Sequence, residues 1–269
     1  TTGVAQAHGT PWKMGSYAIV TSAERSKSGV PLLLGAPQMG HSLPSIIHEM
    51  AISCPEFGVA GMDLPGSPGI LIGMSRNLAW TFTSGVADVV DVYVTKKDGE
   101  THYFYGDEKR ELQVLDRKLE VRGGDPITVK RISTHYGPVL LNSRAGNAVY
   151  SRAAAYQGVE ISALPFVFGL YTAKGPKEAI EASKLNRVSF NFFVAGNNGD
   201  IGWRFCGQVP IRPEGYDPRL PLVGSPKTDW KGFVHADAMP MTLNPKSGLI
   251  TNWNNKPVSW WPNFDTPAW

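Results

Sequence analysis

Short apolar runs of strand length, each closed by glycine, proline or asparagine, follow one another from Ser16 onward. That punctuation confines the chain to a sheet-rich fold. SYAIVTS is rich in β-formers, SKSG predicts a turn, and VPLLLGAP has the length of a buried strand. From Ser45 the pieces IIHEMAIS, FGVAGMDL, GILIGMS and LAWTFTS predict a meander or layered sheet. DVVDVYVTKKDGETHYFY reads as strand, charged turn and strand, and LQVLDRKLEVRGGDPITVKRI as a hairpin turning at GGDP. SFNFFVAG and IGWRFCG are joined by NNGD, an Asn-Gly hairpin signal. Helices are sparse. The spacing of Ala179, Ile180 and Ser183, with Pro176 near the start, predicts one in GPKEAIEASKLN.

At 269 residues the chain is long enough to bury a sizeable core, and 29 Gly and 21 Pro favour turns and strands over a helical bundle. The 42% apolar and 18% charged residues are ordinary for a globular protein. No run approaches the roughly 18 apolar residues of a membrane span, and no segment has the pattern of a secretory signal. With a net charge of +3 and scattered basic residues, neither nucleic acid nor a membrane is an expected partner. The two cysteines, Cys54 and Cys206, form no CxxC motif, so zinc and thioredoxin-like chemistry are unsupported. They pair in an oxidising compartment or stand as buried small hydrophobes. Residues 1–15, small and polar without a period, read as a linker or pro-segment remnant, and the length of 16–269 allows one large domain or two small ones.

There is no GxSxG elbow, HExxH, P-loop or GxGxxG, and the six histidines stand singly. Three local features carry possible chemistry. Gly15-Ser16 joins the loose segment to a strand, and a small flexible residue before a hydroxyl suits an N-to-O acyl shift; a loop Gly-Ser is the plainer reading. In DVVD, Asp88 and Asp91 point apart on a regular strand and meet on a hard cation only if the backbone kinks; exposed strand-end charges are the plainer reading. In TNWNN, Thr251 to Asn255, a buried asparagine amide is a standard oxyanion donor, while a self-capping turn uses the same residues.

In order and spacing these features resemble the penicillin acylase family. GSYAIVTSAERSKSGVPLLLGAPQMG is similar to the start of that family's β-subunit, and FGVAGMDLPGSPGILIGMSRNLAWTFTSGVADVVDVY to the segment that follows. THYGPVL, NFFVAGNNGDIGW, YDPRLPLVGSPKTDWKGF and SGLITNWNNKP continue the likeness from about Gly15 to the last residue. The resemblance implies an α+β fold, the four-layer αββα N-terminal-nucleophile hydrolase core, incomplete in this chain. A separate α-subunit and the remainder of the β-subunit are then partners.

By the same resemblance, cleavage between Gly15 and Ser16 frees the α-amine of Ser16, whose hydroxyl is the nucleophile. Gln38 matches a residue whose backbone orients the substrate amide, Ser84 a backbone oxyanion donor and Asn254 the side-chain donor. Met39, Ile72 and Phe82 match positions lining the acyl pocket. Asp88, Asp91 and Asp265, with the carbonyls of Val90 and Pro210, match ligands of a structural calcium; catalysis itself uses no cofactor. Ser16 is not residue 1, Ile19 replaces the family's usual Trp, and a family arginine near the oxyanion asparagine would fall beyond Trp269. The expected activity is that of a periplasmic or secreted amidase acting on a small N-acyl amide such as a β-lactam side chain. N-acyl-homoserine lactone is another substrate of the same chemistry. A non-catalytic β-rich scaffold or binding module, with the Gly15–Ser16 bond intact, is the rival.

Overall fold

The computed structural model describes residues 15–39 and 43–261. The expected linker, apart from Gly15, and Asp265 lie outside these residues. The described residues group into two compact units. One comprises 15–39, 43–87, 159–207 and 235–261, the other 88–158 with 208–234.

The strand-length runs are strands. In the first unit these are β1 (Ser16–Thr21), β2 (Leu32–Pro37), β3 (His48–Ser53), β4 (Gly58–Asp63), β5 (Ile72–Ser75) and β6 (Leu78–Ser84). The second unit takes over with β7 (Val90–Asp98), β8 (His102–Tyr105), β9 (Glu108–Glu111), β10 (Gln113–Leu119), β11 (Ile127–Thr134), β12 (Gly137–Asn142) and β13 (Ala148–Ala154). The chain then returns to the first unit through α1 (Leu164–Thr172), α2 (Pro176–Ala182), β14 (Phe190–Gly196) and β15 (Ile201–Cys206). After β16 (Leu222–Val223) in the second unit, β17 (Met241–Leu243) and β18 (Leu249–Asn252) complete the first.

The first unit stacks helices, a seven-stranded sheet ordered β17-β15-β14-β6-β5-β4-β3, and a three-stranded sheet ordered β18-β1-β2. These are three of the four layers expected, and the α+β fold holds. Period-two alternation in β6 does the sorting. Leu78, Trp80 and Phe82 belong to the core that includes Phe166, Leu170 and Tyr171 of α1, with Trp80 donating to the carbonyl of Leu71 at 2.8 Å. Thr81 and Thr83 point to the other face. A Cβ on Gly35 of β2 would stand 2.2 Å from the Thr81 hydroxyl, so only glycine lets the two sheets approach there. Fully burying a side chain such as Phe192 is worth about 1.5–3 kcal/mol, and Phe192, Phe193 and Phe166 lie in this interior.

The helix predicted near Pro176 is present as α2. Helix α1 has no counterpart in the sequence reading, because LPFVFGLYT is apolar throughout and only nine residues long. A run of that kind cannot be told from a buried strand by periodicity. The NNGD hairpin forms with a four-residue loop between Gly196 and Ile201, in which Gly199 alone is left-handed (φ 94°).

The second unit is an eight-stranded sheet running β10-β11-β12-β13-β7-β8-β9, with β16 beside β7 in parallel. Its β10–β11 ribbon is the GGDP hairpin, and every residue of β10 is exposed. Tyr93 and Tyr136 stack at 3.8 Å, and Tyr105 and Tyr136 both donate to the Asp229 carboxylate. Cys54 and Cys206 are both free thiols; Cys206 is buried. Among the described residues no helix is long and apolar enough to cross a membrane.

Candidate active site

β1 is the middle strand of its sheet, paired with β18 and β2, and Ala18 and Val20 are fully buried. Its first residue, Ser16, is half-buried and sits opposite Pro37. On the other side the ladder pairs Ala18 with Asn252. Continued by two residues, that register sets Asn254 opposite Ser16. There the strand has ended, and a side chain takes the role of the ladder carbonyl: the Ser16 backbone N–H donates to Asn254 Oδ1 at 2.5 Å. Asn254 is 2% exposed and left-handed, with φ 54°. A non-glycine residue held so costs on the order of 1–3 kcal/mol, and such strain collects at functional sites.

Asn254 also donates through Nδ2 to the Ser84 carbonyl at 2.7 Å. Ser84 ends β6, and its carbonyl accepts a second amide, Asn191 Nδ2, at 3.3 Å. Asn191 is fully buried on β14 and accepts from Trp203 Nε1 at 3.2 Å. Asn252 Oδ1 accepts from the Thr83 hydroxyl at 2.7 Å and from the Asn254 N–H at 2.9 Å. The chain beyond Ser84 is strained too, since β-branched Val86 has φ 53°. Ser189 pins this turn, accepting from Gly85 N through its carbonyl and from Ala87 N through its hydroxyl, both at 3.0 Å.

The structure thus gathers Gly15, Ser16, Ser84 and Asn254. Gln38 is close by, its Oε1 4.0 Å from where a Gly15 Cβ would stand. Gly15 itself is tightly confined: that Cβ would lie 2.5 Å from Asn254 Oδ1. Met39 is 39% exposed at the surface. Phe82 lies on the helix-facing side of β6, against Phe166, Phe190 and Phe192, and Ile72 abuts the same cluster. No histidine among the described residues serves Ser16. His48, His102, His135 and His235 are engaged with Asp63, Thr101, Tyr103 and Asp237. The groups around the serine are neutral amides.

Of the two readings of TNWNN the self-capping turn is present, and Asn254 in addition lies beside the serine. Asn254 faces the serine, while Asn255 Oδ1 accepts from Trp253 N at 2.9 Å in a surface turn. Asn252 is one of the three TNWNN amides, with no separate role legible in the sequence, and Thr83 carries no local signal. The signal for Asn191 was a lone amide inside FNFFVAG, an otherwise apolar strand.

The DVVD carboxylates lie in the second unit and do converge, with Arg212 between them. Arg212 Nε donates to Asp91 Oδ2 at 2.9 Å, and Nη2 to the Asp88 carbonyl at 2.8 Å, with Asp88 Oδ2 at 3.2 Å. Trp230 Nε1 donates to the same Asp91 Oδ2 at 2.5 Å. Asp91 Oδ1, by contrast, is buried with no hydrogen-bond partner. A carboxylate oxygen in that condition suits a hard cation. Val90 opens β7 beside it, and Pro210 is bridged to Phe233. Among the described residues no three His, Cys, Asp or Glu side chains form a metal cluster. The third expected carboxylate, Asp265, is not among them. Arg212 and Trp230 were not read from the sequence.

The family model described as penicillin amidase matches residues 2–267. Penicillin G acylase of Escherichia coli is 27% identical over 91% of this chain and 29% of its own length. Acyl-homoserine lactone acylase QuiP of Pseudomonas aeruginosa is 28% identical over 87% of the chain and 29% of its own. The solved structure of thermostable penicillin G acylase from Alcaligenes faecalis superimposes with a TM-score of 0.87 at 29% identity, covering 94% of this chain and 46% of that one. The chain therefore spans less than a third of the length of these curated relatives. With the match running nearly end to end, this chain belongs to the penicillin amidase family.

Proposed function

We propose that the protein containing this chain hydrolyses small N-acyl amides through Ser16, after cleavage of the Gly15–Ser16 bond has freed its α-amine. The observation that carries the reading is the Ser16–Asn254–Ser84 cluster: a serine at the head of the middle strand of its sheet, bonded to the side chain of a buried asparagine whose backbone is strained.

The chemistry follows from those groups. An α-amine has a pKa of about 7.7–8.0, so near neutral pH it accepts a proton where an ordinary lysine does not. Ser16 Oγ attacks the amide carbonyl carbon, and its proton passes to the α-amine, directly or through a water. The amide N–H of Asn254 and the backbone N–H of Ser84 stabilise the oxyanion, and the Gln38 backbone orients the substrate amide. The C–N bond then breaks, the α-amine returns the proton to the departing amine, and an acyl ester on Ser16 remains. Water attacks that ester by the same route and releases the acid. Met39, Ile72 and Phe82 are assigned to the acyl side. An α-subunit and the remainder of the β-subunit complete the enzyme, in a periplasmic or secreted location.

A structural calcium is the companion proposal. In the second unit Asp91 Oδ1, Asp88 and the carbonyls of Val90 and Pro210 would hold it, and its charge would answer the unpartnered Oδ1, while the expected ligand Asp265 lies outside the described residues. Metal analysis of protein dialysed without chelator, compared with Asp91→Asn, checks this: bound calcium is expected in the parent and lost in the variant.

The test of the main reading is the intact mass and N-terminal sequence of each fragment from the complete precursor. A fragment starting Ser-Tyr-Ala-Ile-Val, absent in Ser16→Ala, is expected, together with acid release from a panel of N-acyl amides. An uncut, inactive precursor would instead support a scaffold of the same fold. The QuiP relatives favour including N-acyl-homoserine lactones in the panel beside penicillins.

A further inference from the structure

We infer that Asn252 and Asn191 are positioning residues of the candidate active site: they act through Asn254 and Ser84 and leave the reacting atoms untouched. The inference rests on the acylase reading for its kinetic consequences, though not for its structural ones.

An asparagine has an acceptor end and a donor end, and its orientation is set by its partners. Asn252 Oδ1 receives two donors, the Thr83 hydroxyl and the Asn254 backbone N–H. Asn252 is therefore used as an acceptor. Asn191 receives the indole N–H of Trp203, which can only donate, and so turns its Nδ2 to the Ser84 carbonyl. Asn191 is therefore used as a donor at Ser84.

Asn254 hangs between these two supports. Its backbone, held left-handed, is fixed by Asn252 in an i to i+2 side-chain turn. Its Nδ2 leans on the carbonyl that Asn191 also holds. With Nδ2 committed to an acceptor, Oδ1 faces the N–H of Ser16. A flipped Asn254 amide would set Nδ2 against that N–H and Oδ1 against the Ser84 carbonyl, two like-with-like contacts. The supports thus decide which end of Asn254 meets the nucleophile. Thr83 and Asn191 are also register partners across β6 and β14, so both supports start from one rung of the ladder.

The two asparagines answer oppositely to the same substitution. Asn252→Asp keeps the acceptor oxygen that Thr83 and Asn254 need. Asn191→Asp removes the donor that Ser84 needs and leaves an oxygen facing a carbonyl. In the complete, processed protein, with serines counted by titration with a covalent sulfonyl fluoride, kcat on an N-acyl amide is expected within about 3-fold of the parent for Asn252→Asp. It falls roughly 10- to 100-fold for Asn252→Ala and Asn191→Asp, with KM within about 2-fold, as expected when placement of a transition-state donor is lost. Crystal structures of the same variants give a readout that needs no turnover. Asn254 Oδ1 is expected to leave the Ser16 N–H in Asn252→Ala and to stay in Asn252→Asp.

Parent-like kcat per titrated serine in Asn252→Ala and Asn191→Asp would overturn the inference, as would equal damage from Asn252→Asp and Asn252→Ala. A parent inactive on every N-acyl amide removes the acylase reading alone. The crystal structures then decide: an unmoved Asn254 in Asn252→Ala refutes the positioning role, and a displaced one upholds it.

Discussion

Two buried polar clusters of this chain satisfy their hydrogen bonds by opposite means. Around Ser16 the partners are neutral amides and hydroxyls, each bonded at a chosen end. Around Asp91 they are a carboxylate, a guanidinium and an indole N–H, with one carboxylate oxygen left over. Neutral groups are cheap to desolvate, but they hold only if each donor meets an acceptor. Charges tolerate looser geometry yet are costly to bury singly. The first arrangement suits a site where an atom must be aimed, the second a joint that must hold. Damage to the first is expected to appear in rates, and damage to the second in stability.

Removing the guanidinium is the largest blow to the ionic cluster. Arg212→Met strips the guanidinium from the buried Asp91 carboxylate, and should cost about 3–5 kcal/mol. A shifted urea midpoint measures it, and Asp91→Asn in the same chain should recover part of the loss. Asn254→Ala is the matching blow to the neutral cluster. It should lower kcat by about 10²–10³-fold while the urea midpoint moves less than in Arg212→Met; a reversed ranking would break the comparison.

Gly15→Ala is smaller. Its Cβ would fall 2.5 Å from Asn254 Oδ1, an overpacking worth about 1–3 kcal/mol. Cleavage before Ser16, followed on gels, should slow by roughly 10- to 100-fold. Least disturbing is a probe of neutrality elsewhere. Burial pushes the Cys206 thiol up to about 11, so at pH 8 it is almost wholly protonated and lacks the reactive thiolate. A short thiol-labelling pulse on the native protein should modify Cys54 and spare Cys206 until denaturant is added.

The strands were legible because period-two patterns and Gly/Pro/Asn punctuation are local, and each run named in the sequence became a strand or a hairpin. Gly15, Ser16, Ser84 and Asn254 were legible as a set only through family resemblance, since their meeting depends on a ladder register between residues far apart in the chain. Asn191 and Arg212 were hidden for the same reason. A lone amide in a strand and an arginine in a loop name no partner until the sheet is assembled. Helix α1 was missed because an apolar run without a polar face carries no period to read.

The place of β1 bears on what a break in the chain would do. New ends usually fray, because nothing holds them on one side. A break just before Ser16 would create an end already laced to neighbours on both flanks, with Ala18 and Val20 sealed beneath it. Such an end would have little freedom left to lose, and its first atom would stay where the intact chain had put it.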